Sequence, residues 1–117
     1  MSQAIIYHNP RCSKSRATLA LLESRHVDTH IIKYLDNPPS PQTLRKITAM
    51  LGVSPRNILR TGEKEYKDFG MDNPDLSDDQ LLQLMSANPK VIERPIVIYK
   101  DQAVVGRPPE NVLDLIE

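Results

Sequence analysis

The chain holds a single cysteine, Cys12, among its 117 residues. No disulfide can close within it, so the sequence reads as that of a protein from a reducing compartment, and we expect the cytoplasm. Tryptophan is absent and aromatics make up 4% of the residues, which leaves Leu, Ile and Val to build the core. No apolar run approaches the roughly 18 residues that span a bilayer. The opening MSQAIIYHNP lacks the basic start and long apolar centre of a signal peptide. Net charge is missing too, since 15 basic residues balance 15 acidic ones. A general nucleic-acid or membrane surface is therefore not expected. What is present is an ordinary globular composition, 39% hydrophobic and 26% charged, at a length that fits one domain over residues 1–117.

Ala4–Tyr7 is a short apolar run closed by His8-Asn9-Pro10, a buried strand followed by turn chemistry. Ser13 to about Arg25 reads as a helix whose apolar residues are Ala17, Leu19, Ala20, Leu21 and Leu22. His30–Leu35 is a second strand, and the βαβ unit so formed should be parallel with a right-handed crossover. Ser40-Pro41 opens a helix that runs to about Met50 and stops at Gly52. Ser54-Pro55 starts a short helix leading to Arg60, and another is expected near Glu63–Phe69. Ser77 caps a helix lined by Leu81, Leu82, Leu84 and Met85. Ile96–Tyr99 and Ala103–Val105 form an antiparallel hairpin about Lys100-Asp101-Gln102. Pro108-Pro109 starts a last helix with Val112, Leu113, Leu115 and Ile116 on its buried side. The order predicts an α/β, thioredoxin-like fold: one four-stranded mixed sheet made from βαβ plus ββα, with a helical insertion between the halves.

Cys12 falls between the first strand and the first helix. A helix N-terminus offers free N–H groups and partial positive charge, which lower a thiol pKa. Arg11, Lys14 and Arg16 add charge of the same sign. Ser15 lies one helical turn on, where its hydroxyl is a candidate donor to the thiolate. His8 is a second candidate, from the strand side. A lone cysteine is often only a small buried hydrophobe, but this one stands at a strand-to-helix turn ringed by basic residues. Two chemistries are excluded. Thr18 stands where a phosphatase-type loop needs its arginine, and Ser15 stands where a C-x-x-C motif has its second thiol. Any redox cycle at Cys12 therefore needs a thiol from outside.

Three distant arginines, Arg60, Arg94 and Arg107, complete the candidate set. On the thioredoxin plan the loop before the third strand packs against the cysteine loop, with the last hairpin and helix nearby. Arg94 and Arg107 are thus expected to reach Cys12, and guanidinium forks suit tetrahedral oxyanions. The same plan puts a cis-proline before the third strand, so the Arg94–Pro95 bond is expected to be cis.

The segments Ile6-Tyr7-His8-Asn9-Pro10 with Cys12 and Ser15-Arg16, Tyr34-Leu35 with Pro38-Pro39, Leu59-Arg60, Glu93-Arg94-Pro95-Ile96-Val97 and Gly106-Arg107-Pro108 resemble the glutaredoxin-dependent arsenate reductases. The resemblance runs nearly end to end. It implies an oxidoreductase in which Cys12 attacks arsenate to give a covalent thiol–arsenate adduct, His8 and Ser15 support the thiolate, and Arg60, Arg94 and Arg107 bind the arsenate oxygens. Glutathione would be the co-substrate that attacks the adduct, and glutaredoxin the partner that resolves the mixed disulfide. It implies no metal and no bound cofactor; a monomer is expected. Arg11, Ser13 and Lys14 depart from the small residues around the cysteine in the best-known members, and the chain matches a shorter branch with no tail after the last helix. Two other readings stay open. One is a glutathione-dependent thiol enzyme acting on another substrate. The other is a thiol-based regulator binding RNA polymerase, although a two-cysteine switch is impossible with one cysteine. Arginines converging on Cys12 would favour the oxyanion substrate.

Overall fold

The computed structural model describes residues 3–116. In chain order the elements are β1 (Ala4–His8), α1 (Ser13–Ser24), β2 (Thr29–Lys33), α2 (Pro41–Leu51), α3 (Lys64–Asp68), α4 (Asp78–Ala87), β3 (Ile96–Tyr99), β4 (Gln102–Val105) and α5 (Asn111–Ile116), with 3-10 turns at Pro55–Ile58 and Pro89–Val91. They form two compact units. One joins the residues up to Asn37 to those from Arg94 on, and the other is Pro38–Glu93.

The first unit holds the four-stranded sheet, in the order β2-β1-β3-β4. β1 runs parallel to β2, with Ile6 opposite Ile31, and antiparallel to β3, with Ile6 opposite Val97. β3 and β4 pair antiparallel, with Val97 opposite Val104. This is the expected βαβ-plus-ββα sheet. Its central strands supply Ala4, Ile6 and Val97 to a core completed by Leu22 of α1 and Val112 of α5. Leu113, Leu115 and Ile116 pack against that core only in part. The β3–β4 turn is one residue shorter than the sequence suggests. Lys100 (φ 51°) and Asp101 (φ 64°) both take left-handed conformations, the mark of a two-residue hairpin turn whose twist matches the strands. Gln102 already pairs with Tyr99.

Two further sequence expectations shift in this unit. β2 ends at Lys33 rather than Leu35, because the Lys33 carbonyl oxygen accepts the N–H groups of both Asp36 and Asn37 and turns the chain. Tyr34 is buried inside that turn. The buried positions of α1 are Ser15, Thr18 and Leu22, while Ala17 and Ala20 face solvent. Thr18 packs directly against the chain at Gly106, and Ser15 is engaged by His8 and Asn9.

In the second unit, α2 is capped by Ser40, whose hydroxyl accepts the Thr43 N–H, and Pro41 occupies its first turn. Gly52 ends it at φ 71°, a conformation that costs glycine nothing. α4 starts with a reciprocal cap: the Ser77 hydroxyl accepts the Gln80 N–H and the Gln80 side chain accepts the Ser77 N–H. α2 packs on α4, burying Leu44, Ile47, Leu81, Leu82 and Met85. An isolated bridge between Leu59 and Ile92 ties the middle of the unit to its C-terminal end. No helix among the described residues is long and apolar enough to cross a membrane.

Candidate active site

β1 delivers His8 to the C-terminal edge of the sheet, and the chain then turns into α1. The turn is self-bonded: the Asn9 carbonyl oxygen accepts the Cys12 N–H at 3.0 Å, and the Asn9 side-chain oxygen accepts the Arg11 N–H at 3.0 Å. Cys12 becomes the N-cap of α1, with extended backbone (φ −95°, ψ 123°), and is 8% exposed. Its position leaves the first-turn N–H groups of α1 aimed at the sulfur. Burial alone would push the thiol pKa up. The Ser15 N–H, the Arg94 guanidinium and the Lys14 N–H outweigh that, and the pKa falls below the ordinary thiol value.

Ser15 serves the site differently from expectation. Its buried hydroxyl lies 2.7 Å from Nδ1 of His8 and accepts the Asn9 N–H at 3.0 Å. The group it turns toward Cys12 is its backbone N–H. His8 and Ser15 thus form one buried polar pair beneath the cysteine loop, pinning the end of β1 to the first turn of α1. Burial lowers the His8 pKa, and the Lys33 and Arg16 charges lower it further, so the imidazole is neutral near pH 7. Arg16 itself turns back to donate to the Pro10 carbonyl oxygen at 2.9 Å, while Arg11 and Lys14 are exposed.

The arginines arrive from the far end of the same unit. Arg94 enters β3 through a cis bond to Pro95, as the sequence reading anticipates. The Arg107–Pro108 bond is cis as well, which that reading misses. Arg107 donates from Nη1 to Cys12 Sγ at 3.8 Å and to the Arg94 carbonyl oxygen at 3.2 Å. Both guanidinium groups therefore converge on the thiol. Three residues absent from the candidate set hold them there. The Gly106 N–H donates to the Pro95 carbonyl oxygen at 2.9 Å, and a Cβ on Gly106 would sit 2.4 Å from Thr18 Oγ1 and 2.9 Å from Pro95 Cγ. Thr18, fully buried, bonds the Lys14 carbonyl oxygen at 2.8 Å and lies 3.4 Å from that of Gly106. Asn111 Nδ2 donates to the Val105 and Arg107 carbonyl oxygens, each at 3.2 Å. The one sequence signal for this clamp is glycine directly before Arg107; Thr18 and Asn111 carry none.

Arg60 belongs to the second unit. Its N–H donates to the Val91 carbonyl oxygen at 2.7 Å, and its Nη1 lies 3.7 Å from Glu63 Oε1. Among the described residues no three His, Cys, Asp or Glu side chains gather as a metal site.

The chain is similar to known proteins over nearly its whole length. The model of the ArsC family matches residues 7–115. The arsenate reductase of Neisseria meningitidis is 47% identical over 113 residues, covering 96% of this chain and 97% of that one. An arsenate reductase of Escherichia coli is 40% identical over 117 residues but is covered over 83% of its length, being the longer protein. The solved structure of an arsenate reductase from Vibrio cholerae superposes with a TM-score of 0.93 at 46% identity, covering 97% of each chain. A match of this extent, carried through the cysteine loop and the Arg94 and Arg107 segments, shows that the chain belongs to the ArsC family.

Proposed function

We propose that this protein reduces arsenate to arsenite through Cys12, with glutathione and glutaredoxin as the source of electrons. The observation that carries the reading is the convergence of two arginine forks on one thiolate at a helix N-terminus. A tetrahedral oxyanion held by the forks of Arg94 and Arg107 would present its central atom to the sulfur. Arg60 is proposed as a third oxygen ligand, on the family resemblance alone.

Cys12 thiolate attacks arsenic, an S–As bond forms, an As–O bond breaks, and the oxygen leaves as water after protonation. A glutathione thiolate then attacks Cys12 Sγ. The S–As bond breaks, its electron pair stays on arsenic, As(V) becomes As(III), and arsenite departs. Cys12 is left in a mixed disulfide, which glutaredoxin reduces by thiol–disulfide exchange. The neutral His8–Ser15 pair acts by position: it fixes the first turn of α1 so that the Ser15 N–H stays on the sulfur.

A coupled assay with arsenate, glutathione, glutaredoxin, glutathione reductase and NADPH tests the reading. Arsenate-dependent NADPH loss is expected. Its absence, with a thiol that still reacts rapidly with alkylating agents, would move the assignment to a glutathione-dependent enzyme with another substrate.

A further inference from the structure

The sequence puts three cations around Cys12, namely Arg11, Lys14 and Arg16, and all three side chains reach the surface. Arg16 differs from the other two in how it meets the cysteine turn. Its backbone N–H donates to the Cys12 carbonyl oxygen at 3.0 Å, and its Nη1 donates to the Pro10 carbonyl oxygen at 2.9 Å. One residue of α1 thus holds the chain both at Cys12 and two residues before it.

The same turn is held from within by Asn9. Its carbonyl oxygen accepts the Cys12 N–H, closing a four-residue turn, and its side-chain oxygen accepts the Arg11 N–H, each at 3.0 Å. Asn9 is anchored in its own right, because its N–H donates to Ser15 Oγ at 3.0 Å. The peptide between Pro10 and Arg11 is the centre of this turn. Turn types I and II differ chiefly in which way that central peptide faces. Here both of its polar groups are taken by side chains, the N–H by Asn9 and the C=O by Arg16. Its orientation fixes where the chain enters α1, and so where Cys12 caps the helix.

We propose that Asn9 and Arg16 are positioning residues for Cys12. They lock the Pro10–Arg11 peptide from opposite ends, and the lock keeps the thiol at the start of α1, facing the Arg94 and Arg107 forks. Arg16 serves the site through this hydrogen bond, not as a charge near the sulfur. The groups that hold the thiol pKa down, the Ser15 and Lys14 N–H groups and the Arg94 guanidinium, act only while the sulfur stays in place. The effect of the lock on turnover rests on the function proposed above; its effect on the thiol does not.

The test is a thiolate titration by absorbance in Arg16→Met, Asn9→Ala and the double variant, each shown to be folded by circular dichroism. In each single variant the ionisation constant of Cys12 should fall about threefold or more, the scale of one lost hydrogen bond. The double variant should fall little further, since either loss frees the same peptide. The Arg16→Met effect should persist in about 1 M salt, where charge acts over only about 3 Å. An unchanged constant in either single variant, full additivity, or an Arg16→Met effect abolished by salt would each overturn the inference. In the coupled assay both single variants should lower kcat and leave KM for arsenate unchanged, because the forks that hold the anion come from other segments. A raised KM with unchanged kcat would contradict a positioning role. Shifted ionisation in a protein with no arsenate turnover would sink the proposed function alone. Arsenate turnover with unshifted ionisation in both variants would sink this inference alone.

Discussion

Arg107 Nη1 donates to Cys12 Sγ at 3.8 Å and to the carbonyl oxygen of Arg94 at 3.2 Å. One guanidinium thus links the thiol to the backbone of the second arginine. The site is assembled by segments from opposite ends of the chain, separated by the whole of the second unit. Its chemistry depends on the approach of the Gly106–Arg107 turn to α1 as much as on Cys12 itself.

Cys12→Ser should reduce arsenate turnover to background. A serine hydroxyl stays protonated where a thiol at this helix N-terminus ionises. Steady-state rates compared with wild type check this, and a variant that keeps full activity would remove Cys12 from the chemistry.

Arg94→Lys preserves charge and loses the fork. KM for arsenate is expected to rise about tenfold, the scale of a lost charge-assisted hydrogen bond. Arg94→Ala should also raise the thiol pKa, since the Arg94 guanidinium is one of the groups that hold it down. Titration of the thiolate absorbance reads that shift, and unchanged midpoint and KM would place Arg94 outside the site.

Gly106→Ala tests the clamp. The new Cβ would meet Thr18 Oγ1 at 2.4 Å and Pro95 Cγ at 2.9 Å, with no room to move on the proline side. Overpacking of this kind costs roughly 1–3 kcal/mol, enough to lower Tm by several degrees. Thr18→Ala removes the nearest obstruction, so the double variant should recover part of the loss. Strict additivity of the two losses in thermal melts would show that the residues do not share a contact.

These examples also show how far the sequence can be read. The order of elements and the cysteine at the N-terminus of α1 follow from local signals, apolar runs and capping residues, and the approach of Arg94 and Arg107 follows from the thioredoxin plan that this order matches. The inner face of α1 does not. Ser15 and Thr18 look like solvent positions by hydrophobicity; the end of β1 covers the first and the close passage of Gly106 the second. Ser15 is legible as a site residue, but its hydroxyl is taken by His8 and Asn9, a partner choice that depends on where β1 ends. Asn111 is invisible because its value lies in two carbonyl groups that the fold brings within reach.

His8 carries a pH dependence whose sign follows from its environment. Burial, then the charges of Lys33 and Arg16, lower its pKa below the ordinary value of about 6.5. As pH falls through that value the unfolded chain takes up a proton that the folded chain does not. The contribution to stability is full above the unfolded pKa and is lost as pH drops toward the folded one. The Tm difference between wild type and His8→Asn should therefore be largest near neutral pH and shrink on acidification. A difference independent of pH would contradict the buried, neutral assignment.

The most direct measurement mixes the protein with arsenate and one equivalent of glutathione per chain, without glutaredoxin, and follows arsenite release together with the intact mass of the chain. Arsenite equimolar with the chain is expected, with one glutathione disulfide-bonded to Cys12, and neither product in the absence of arsenate or in Cys12→Ser. Arsenite released while Cys12 stays unmodified, or released equally by Cys12→Ser, would contradict the nucleophilic role at the centre of the mechanism.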